Sequence, residues 1–333
     1  MLNFCTLFNS AYLSRGLVLY YSLEEQCENF HLYILAFDDK CLSFLQKLNL
    51  RYATIISLAE FETEALLEVK KGRTPAEYCW TCTPSIIDYC IKRYQLDNCT
   101  YVDADLMFFS NPAVLIEEMG NNSVLITEHR FSEEHDHSLS NGNYCVQFVT
   151  FKNTAEAIKV LEWWRIACIE WCYNRIEDGK FGDQKYLDSW TRDFAGVHEL
   201  QHLGGGVAPW NVQQYSFQKA PGNNVVGTEL ASKEKFDLIF FHFHDFKYFM
   251  KDTLRVTSEA YRITNDVIDL IYRPYIAALG KVECKIKNLD PEQQYHEKEL
   301  ELEWIRRSLG RRIIFSFLGQ YKTYFKKYKL IES

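Results

Sequence analysis

Apolar and polar positions alternate in blocks along this chain rather than singly. Phe4 to Phe8 forms a short apolar run that stops at Asn9-Ser10, and a helical pattern follows through Leu13, Leu17, Leu19, Tyr20 and Leu23. His31 to Phe37 is a second run suited to a buried strand, ending in Asp38-Asp39. A helix over Cys41 to Leu48 and a third strand over Ala53 to Ile56 come next. A helix over Ser85 to Tyr94 then precedes a strand over Thr100 to Val102. Strands and helices in this order predict an α/β fold, an open and mostly parallel sheet with helices on both faces. Further strands are expected over Ser123 to Thr127, Tyr144 to Phe151 and Leu238 to Phe243. The helix expected over Ala155 to Tyr173 carries Trp163, Trp164, Cys168 and Trp171 at the spacing of a core stripe. Beyond residue 250 strand signals fade, and helices are expected over Ser258 to Ala278, Pro291 to Leu309 and Ile313 to Tyr328. The expected division is an α/β unit, residues 1–250, and a helical C-terminal extension, residues 251–333.

Composition narrows the class. With 47% hydrophobic and 25% charged residues the chain reads as a soluble protein. Polar residues break every apolar run well before the ~18 to 20 residues of a membrane span. The opening MLNFCTLFNSAYLSRG lacks a basic stretch followed by an apolar core, so a cytoplasmic protein is expected. The eleven cysteines then read as reduced thiols, and Cys79-Trp80-Thr81-Cys82 has no second pair at zinc-site spacing. Charge is unevenly spread. From Ile305 onward there are eight basic residues against one acid, so a net charge of −8 leaves the rest near −15. An acidic body of this size argues against nucleic-acid binding. In the tail, basic residues border Ile313, Ile314, Phe315, Phe317, Leu318, Tyr321, Tyr324 and Phe325 at helical spacing. That is the pattern of a helix lying on an anionic membrane surface, so peripheral contact with the inner face of the membrane is expected.

The chemistry-bearing stretch is YVDADLMFFSNP, residues 101–112, in which Asp103 and Asp105 close an apolar strand. Unpaired buried carboxylates cost several kcal/mol or more, so the pair needs a partner. Ligands of open α/β sheets gather outside the carboxyl ends of the strands. Residues two apart on extended backbone point the same way, so both carboxylates are expected to converge on one cation such as Mg²⁺ or Mn²⁺.

This stretch resembles the DxD motif of GT-A-fold glycosyltransferases, especially the retaining family 8 of lipopolysaccharide galactosyltransferases and glycogenin-like enzymes. The resemblance runs from about residue 4 to about residue 247. Thr6 to Ser22 is similar to that family's first strand and helix, with Tyr12 and Ser22 at the spacing of residues flanking the nucleotide. Asn143-Tyr144-Cys145-Val146 resembles the Asn-x-Gly-Val strand behind the sugar, with cysteine in place of glycine. Gly182-Asp183-Gln184-Lys185-Tyr186-Leu187 resembles the DQxxL segment, and Phe241 to Lys247 the closing His…Lys segment.

The resemblance implies an enzyme of the hexosyltransferase type, a Rossmann-like mixed sheet, and a Mn²⁺ (or Mg²⁺) cofactor. It implies a nucleotide-diphosphate sugar donor, a UDP-sugar, and a saccharide or lipid-linked acceptor. It implies metal ligands among Asp103, Asp105, His242 and His244, the two histidines remaining alternatives. It implies donor contacts at Thr6, Phe8, Tyr12, Asp103, Ala104 and Lys247, with Phe8 and Tyr12 as rings for the base. Asp183 and Gln184 would sit below the anomeric carbon, or Asp183 would be the general base of an inverting enzyme. The helix before DxD lacks the family's basic residue, leaving Lys70, Lys71 or Arg73 for the diphosphate. HLGGGVAPWN, residues 202–211, is either a tight connecting loop or an acceptor loop around Trp210 and Asn211. Two other classes are weighed: a haloacid-dehalogenase-type phosphatase, whose DxD lies on the first strand, and a non-catalytic sugar-nucleotide-binding module.

Overall fold

The computed structural model of the protein describes residues 1–301, 309–310, 313, 322–327 and 330. In chain order its first strands are β1 Leu2–Phe8, β2 Phe30–Ala36, β3 Ala53–Ser57 and β4 Asn98–Val102. They are followed by β5 Leu106–Phe108, β6 Val124–Glu128, β7 Tyr144–Lys152 and β8 Val197–Glu199. Seven of them form one mixed sheet in the order β3-β2-β1-β4-β7-β6-β8. β1 runs parallel to β2 and β4, while β7 runs antiparallel between β4 and β6. Alternate residues of β1 feed two cores. Phe4 and Phe8 join the layer that includes the helices Leu13–Gln26 and Arg273–Leu289. Cys5 and Leu7 join the layer of Pro75–Tyr94 and Ala155–Glu170. Strands covered on both faces read as unbroken apolar runs, which is why they stand out in the chain.

The helix expected from Ser85 starts at Pro75. Thr74 Oγ1 accepts the Glu77 N–H and the Glu77 carboxylate accepts the Thr74 N–H, a capping box that sets the start, and Pro84 is carried inside. Of the tryptophan stripe, Trp164 and Cys168 are core, whereas Trp163 is 40% exposed.

The later chain departs from expectation. β9 Tyr215–Lys219, β10 Val225–Glu229 and β11 Lys235–Asp237 make a small sheet, and β12 Phe240–His242 pairs with β5. Strands also continue past residue 250: β13 Lys247–Phe249 pairs with β14 Thr253–Arg255, which pairs with β15 Tyr324–Lys326. The helix expected over Ser258 to Ala278 runs instead from Asn265 through a π turn at Ile268–Tyr272 to Leu289. Residues 291–301 are not helical. Much of the expected helix Ile313 to Tyr328 lies outside the described residues, but Tyr324 to Lys326 is a strand, because β14 offers an unpaired backbone edge. Lys326 Nζ donates to Thr253 Oγ1 and Lys327 Nζ to Glu283 Oε2, so two of the tail's cations fold onto the body. Among the described residues, no helix is long and apolar enough to cross a membrane.

Candidate active site

β4 ends at Val102, and Asp103 to Asp105 form a turn in which the Leu106 N–H donates to Asp103 O at 3.3 Å. The two aspartates therefore do not share a face of extended backbone, as their spacing suggested. They are held by backbone bonds from both sides: the Asp103 N–H donates to Gln147 O of β7, and the Phe243 N–H to Asp105 O. Antiparallel pairing of β12 with β5 sets His242 opposite Leu106, the residue after Asp105. That register delivers the imidazole. His242 Nε2 lies 3.2 Å from Asp105 Oδ1 and 3.8 Å from Asp103 Oδ2, and Nδ1 lies 2.8 Å from Gln147 Oε1. His244 is exposed, with its ring centre 5.8 Å from that of His242 and 5.5 Å from that of Trp210.

Charge in the site is unbalanced. Burial raises the Asp105 pKa, but His242 outweighs it and brings the carboxyl down to about 2. For Asp103 burial wins, with the Asp105 charge beside it, and the pKa rises to about 6 despite His242. Burial favours neutral His242, yet the two carboxylates hold its pKa well above the ordinary value. Asp183 is 3% exposed, its Oδ2 has no hydrogen-bond partner among the described residues, and burial with the Asp103 charge pushes its carboxyl up to about 7. Two carboxylates thus share one imidazole, and the Asp183 carboxyl lies near enough to feel the Asp103 charge. Oxygen donors beside one ring nitrogen, short of positive charge, are a set that accepts a divalent cation.

The other expected residues fall into two groups. Asp183 and Gln184 lie where the segment leaves a turn: Trp164 Nε1 donates to Asp183 O at 2.8 Å and Gln184 Nε2 to Asn141 O at 2.8 Å. Leu187 is fully buried, which explains the leucine of that motif as its anchor. Tyr12 exposes its ring, with the Arg15 guanidinium 4.4 Å from the ring centre. Lys247 pairs with Asp245 at 2.9 Å and stays partly exposed. Ala104 is buried in the aspartate turn.

Phe8, by contrast, packs on Gly16 so closely that a Cβ there would sit 2.3 Å from its ring, so its ring is not free for a base. Thr6 is fully buried within β1. Ser22 Oγ accepts the Phe108 N–H and donates to Leu19 O, a structural use rather than a nucleotide contact. Lys70 and Lys71 pair with Glu62 and Glu68 at the surface, and Arg73 is spent on Thr81 and Ile169 O. The glycine-rich loop is a close-packing device: a Cβ on Gly204 would lie 1.8 Å from Asp237 O. Asn211 is fully buried on His129 O and Gly206 O, and Trp210 packs edge-on to His242.

Three neighbours of the site were missed. Gln147 is an amide inside the largely apolar run of β7, a signal that could have drawn attention to it. Arg15, 1% exposed, feels Asp105 and pairs with Glu297 at 2.7 Å. Nothing local to Ala11–Leu17 marks an arginine whose partner lies near the other end of the chain. Cys145, noted only as a substitution, is 4% exposed and has its sulfur beside Asp103 and His242.

No protein-family model matches the chain. It is 30% identical over 298 residues to the uncharacterized protein YfnD of Bacillus subtilis, covering 87% of this chain and 92% of that one. Among solved structures it is similar to the glycosyltransferase GlyE of Streptococcus pneumoniae, at 14% identity and a TM-score of 0.39. That match covers 62% of this chain and 46% of GlyE, so the chain spans less than half of that protein's length. It is also similar to the galactosyltransferase LgtC in complex with donor and acceptor sugar analogues, at 13% identity, 60% and 73% coverage and a TM-score of 0.39.

Proposed function

The chain belongs to the family of the Bacillus subtilis protein YfnD, and from the chemistry of its site we propose that it is a glycosyltransferase. It moves a sugar from a nucleoside-diphosphate donor, a UDP-sugar on the family 8 resemblance, to a saccharide or glycolipid acceptor. The observation that carries this reading is the meeting of Asp103, Asp105 and His242 at the carboxyl end of β4. Mn²⁺ or Mg²⁺ held by these side chains would supply the positive charge that a departing diphosphate needs. His242 can serve as a ligand only after losing its proton, and Gln147 Oε1, accepting from Nδ1, leaves Nε2 as the coordinating nitrogen. Tyr12 presents its ring to the base, and Lys247 its ammonium to the diphosphate. Asp183, with a carboxyl near neutrality, and Gln184 position the anomeric carbon in a retaining transfer, which the resemblance favours. In an inverting transfer Asp183 takes the acceptor proton.

Residues 1–250 carry the transfer on this reading, and residues 251–333 support it. A lipid-linked acceptor at the inner face of the membrane suits the basic tail, through the cations other than Lys326 and Lys327. The test is UDP release from a panel of UDP-sugars with Mn²⁺, and NMR of the product anomer. Asp103→Asn and Asp105→Asn should each lower turnover by roughly 100-fold or more with unchanged circular dichroism. Undiminished turnover of Asp103→Asn at saturating Mn²⁺, or no release from any nucleotide sugar, overturns the reading.

A further inference from the structure

We infer that Cys145 is a direct ligand in this site, which therefore takes a thiophilic divalent cation, Zn²⁺ or Co²⁺, in preference to Mg²⁺. The inference rests on the metal reading above and deepens it. A carboxylate oxygen of Asp103, the Sγ of Cys145 and a ring nitrogen of His242 all lie within 4.8 Å of one another. Ligands on one tetrahedral ion are separated by about 3 to 4 Å, so small side-chain rotations close this triple. Asp105 joins from the side, through its 3.2 Å approach to His242.

The fold explains why a cysteine reaches this point. β7 runs antiparallel to β4, so the start of β7 lies beside the end of β4, where Asp103 stands. Residues 145 and 147 of a strand share a face. Gln147 grips His242 from that face, and two positions earlier the same face offers sulfur. Trp210 and Ala208 pack around Cys145 as an apolar wall that limits water. Cys27, Cys41 and Cys168 lie in the two large apolar cores, whereas Cys145 faces a carboxylate and an imidazole. Coordination requires the thiolate, so the thiol proton passes to solvent as the cation binds, and no electrons are exchanged. Sulfur and imidazole donors favour Zn²⁺ and Co²⁺, while sites of oxygen alone suit Mg²⁺ and Mn²⁺.

The experiment titrates the metal-free full-length protein with Co²⁺ and follows the near-ultraviolet thiolate-to-cobalt charge-transfer band, with Zn²⁺ as competitor and Mn²⁺ binding measured in parallel. The wild type should develop the band. Cys145→Ser and Cys145→Gly should lose it, and their Zn²⁺ affinity should fall by more than the roughly 10- to 100-fold that an outer-shell loss costs. Mn²⁺ affinity should change far less. Asp103→Asn should also abolish the band, which ties it to this site rather than to the buried trio Cys5, Cys90 and Cys99. X-ray absorption of the Zn²⁺-loaded wild type needs no variant: a mixed shell with a single sulfur at about 2.3 Å is expected. An all-nitrogen-and-oxygen shell, or a band that survives both cysteine variants, overturns thiol ligation. If Asp103→Asn still loses Mn²⁺ in that case, the metal reading stands. Cation binding that is indifferent to Asp103→Asn removes both.

Discussion

Replacing Gln147 with leucine separates ligand positioning from packing. Gln147 is fully buried, and its Oε1 accepts the His242 Nδ1–H at 2.8 Å. Leucine is of similar size but accepts nothing, so the Nδ1–H is left buried and unpaired at a cost of ~1 to 3 kcal/mol. The substitution also removes Gln147 Nε2, a buried donor without a partner among the described residues. Its removal recovers a comparable amount, and folding stability should shift little. Metal affinity has no such compensation. The imidazole loses the contact that fixes its tautomer and orientation, and the expected loss is roughly 10- to 100-fold, or about 1.4 to 2.7 kcal/mol. Calorimetric titration with Mn²⁺ and Zn²⁺, paired with thermal denaturation, reads both quantities. Gln147→Glu keeps the acceptor and should recover most of the affinity. A variant that loses several kcal/mol of stability but binds metal normally would show Gln147 to be only a packing residue.

Two further outcomes concern the frame around the site. His129 is 4% exposed and stacks on Phe131, and burial above all pushes its pKa down to about 3. Its unfolded value near 6.5 is higher, so the unfolded chain binds the proton first. The stability this neutral histidine contributes is present above that value and lost as pH falls below it, by about 2 kcal/mol between pH 6.5 and 5. Urea denaturation at pH 7 and pH 5 should show a smaller drop for His129→Gln than for the wild type, and equal drops refute this. Gly16→Ala places a methyl 2.3 Å from the Phe8 ring. Overpacking of this kind costs about 1 to 3 kcal/mol, so a lower melting temperature is expected, and an unchanged one would mean that Phe8 has room to move.

The order of strands and helices through β7 was legible because strands covered on both faces leave unbroken apolar runs, and burial is a property each residue records locally. Asp103 and Asp105 stood out for the same reason: carboxylates at the end of such a run are costly without partners. Asp183 and His242 could be nominated by motif, but not assembled. That His242 rather than His244 meets the two aspartates follows from the β5–β12 register, which sets His242 opposite Leu106. Phe8 looked available for a nucleotide until Gly16 was seen to receive its ring, and Arg15 looked ordinary until Glu297 met it. The strand at Tyr324–Lys326 replaced a helical pattern because an unpaired edge at Thr253–Arg255 stood ready for it. Cys145 showed the same limit. Its letter marked only a missing glycine, and the antiparallel return of β7 beside β4 brought its sulfur to Asp103 and His242. Local pattern reports which residues leave water; which residue each one then meets depends on pairing between distant segments, and that is decided only when the chain closes on itself.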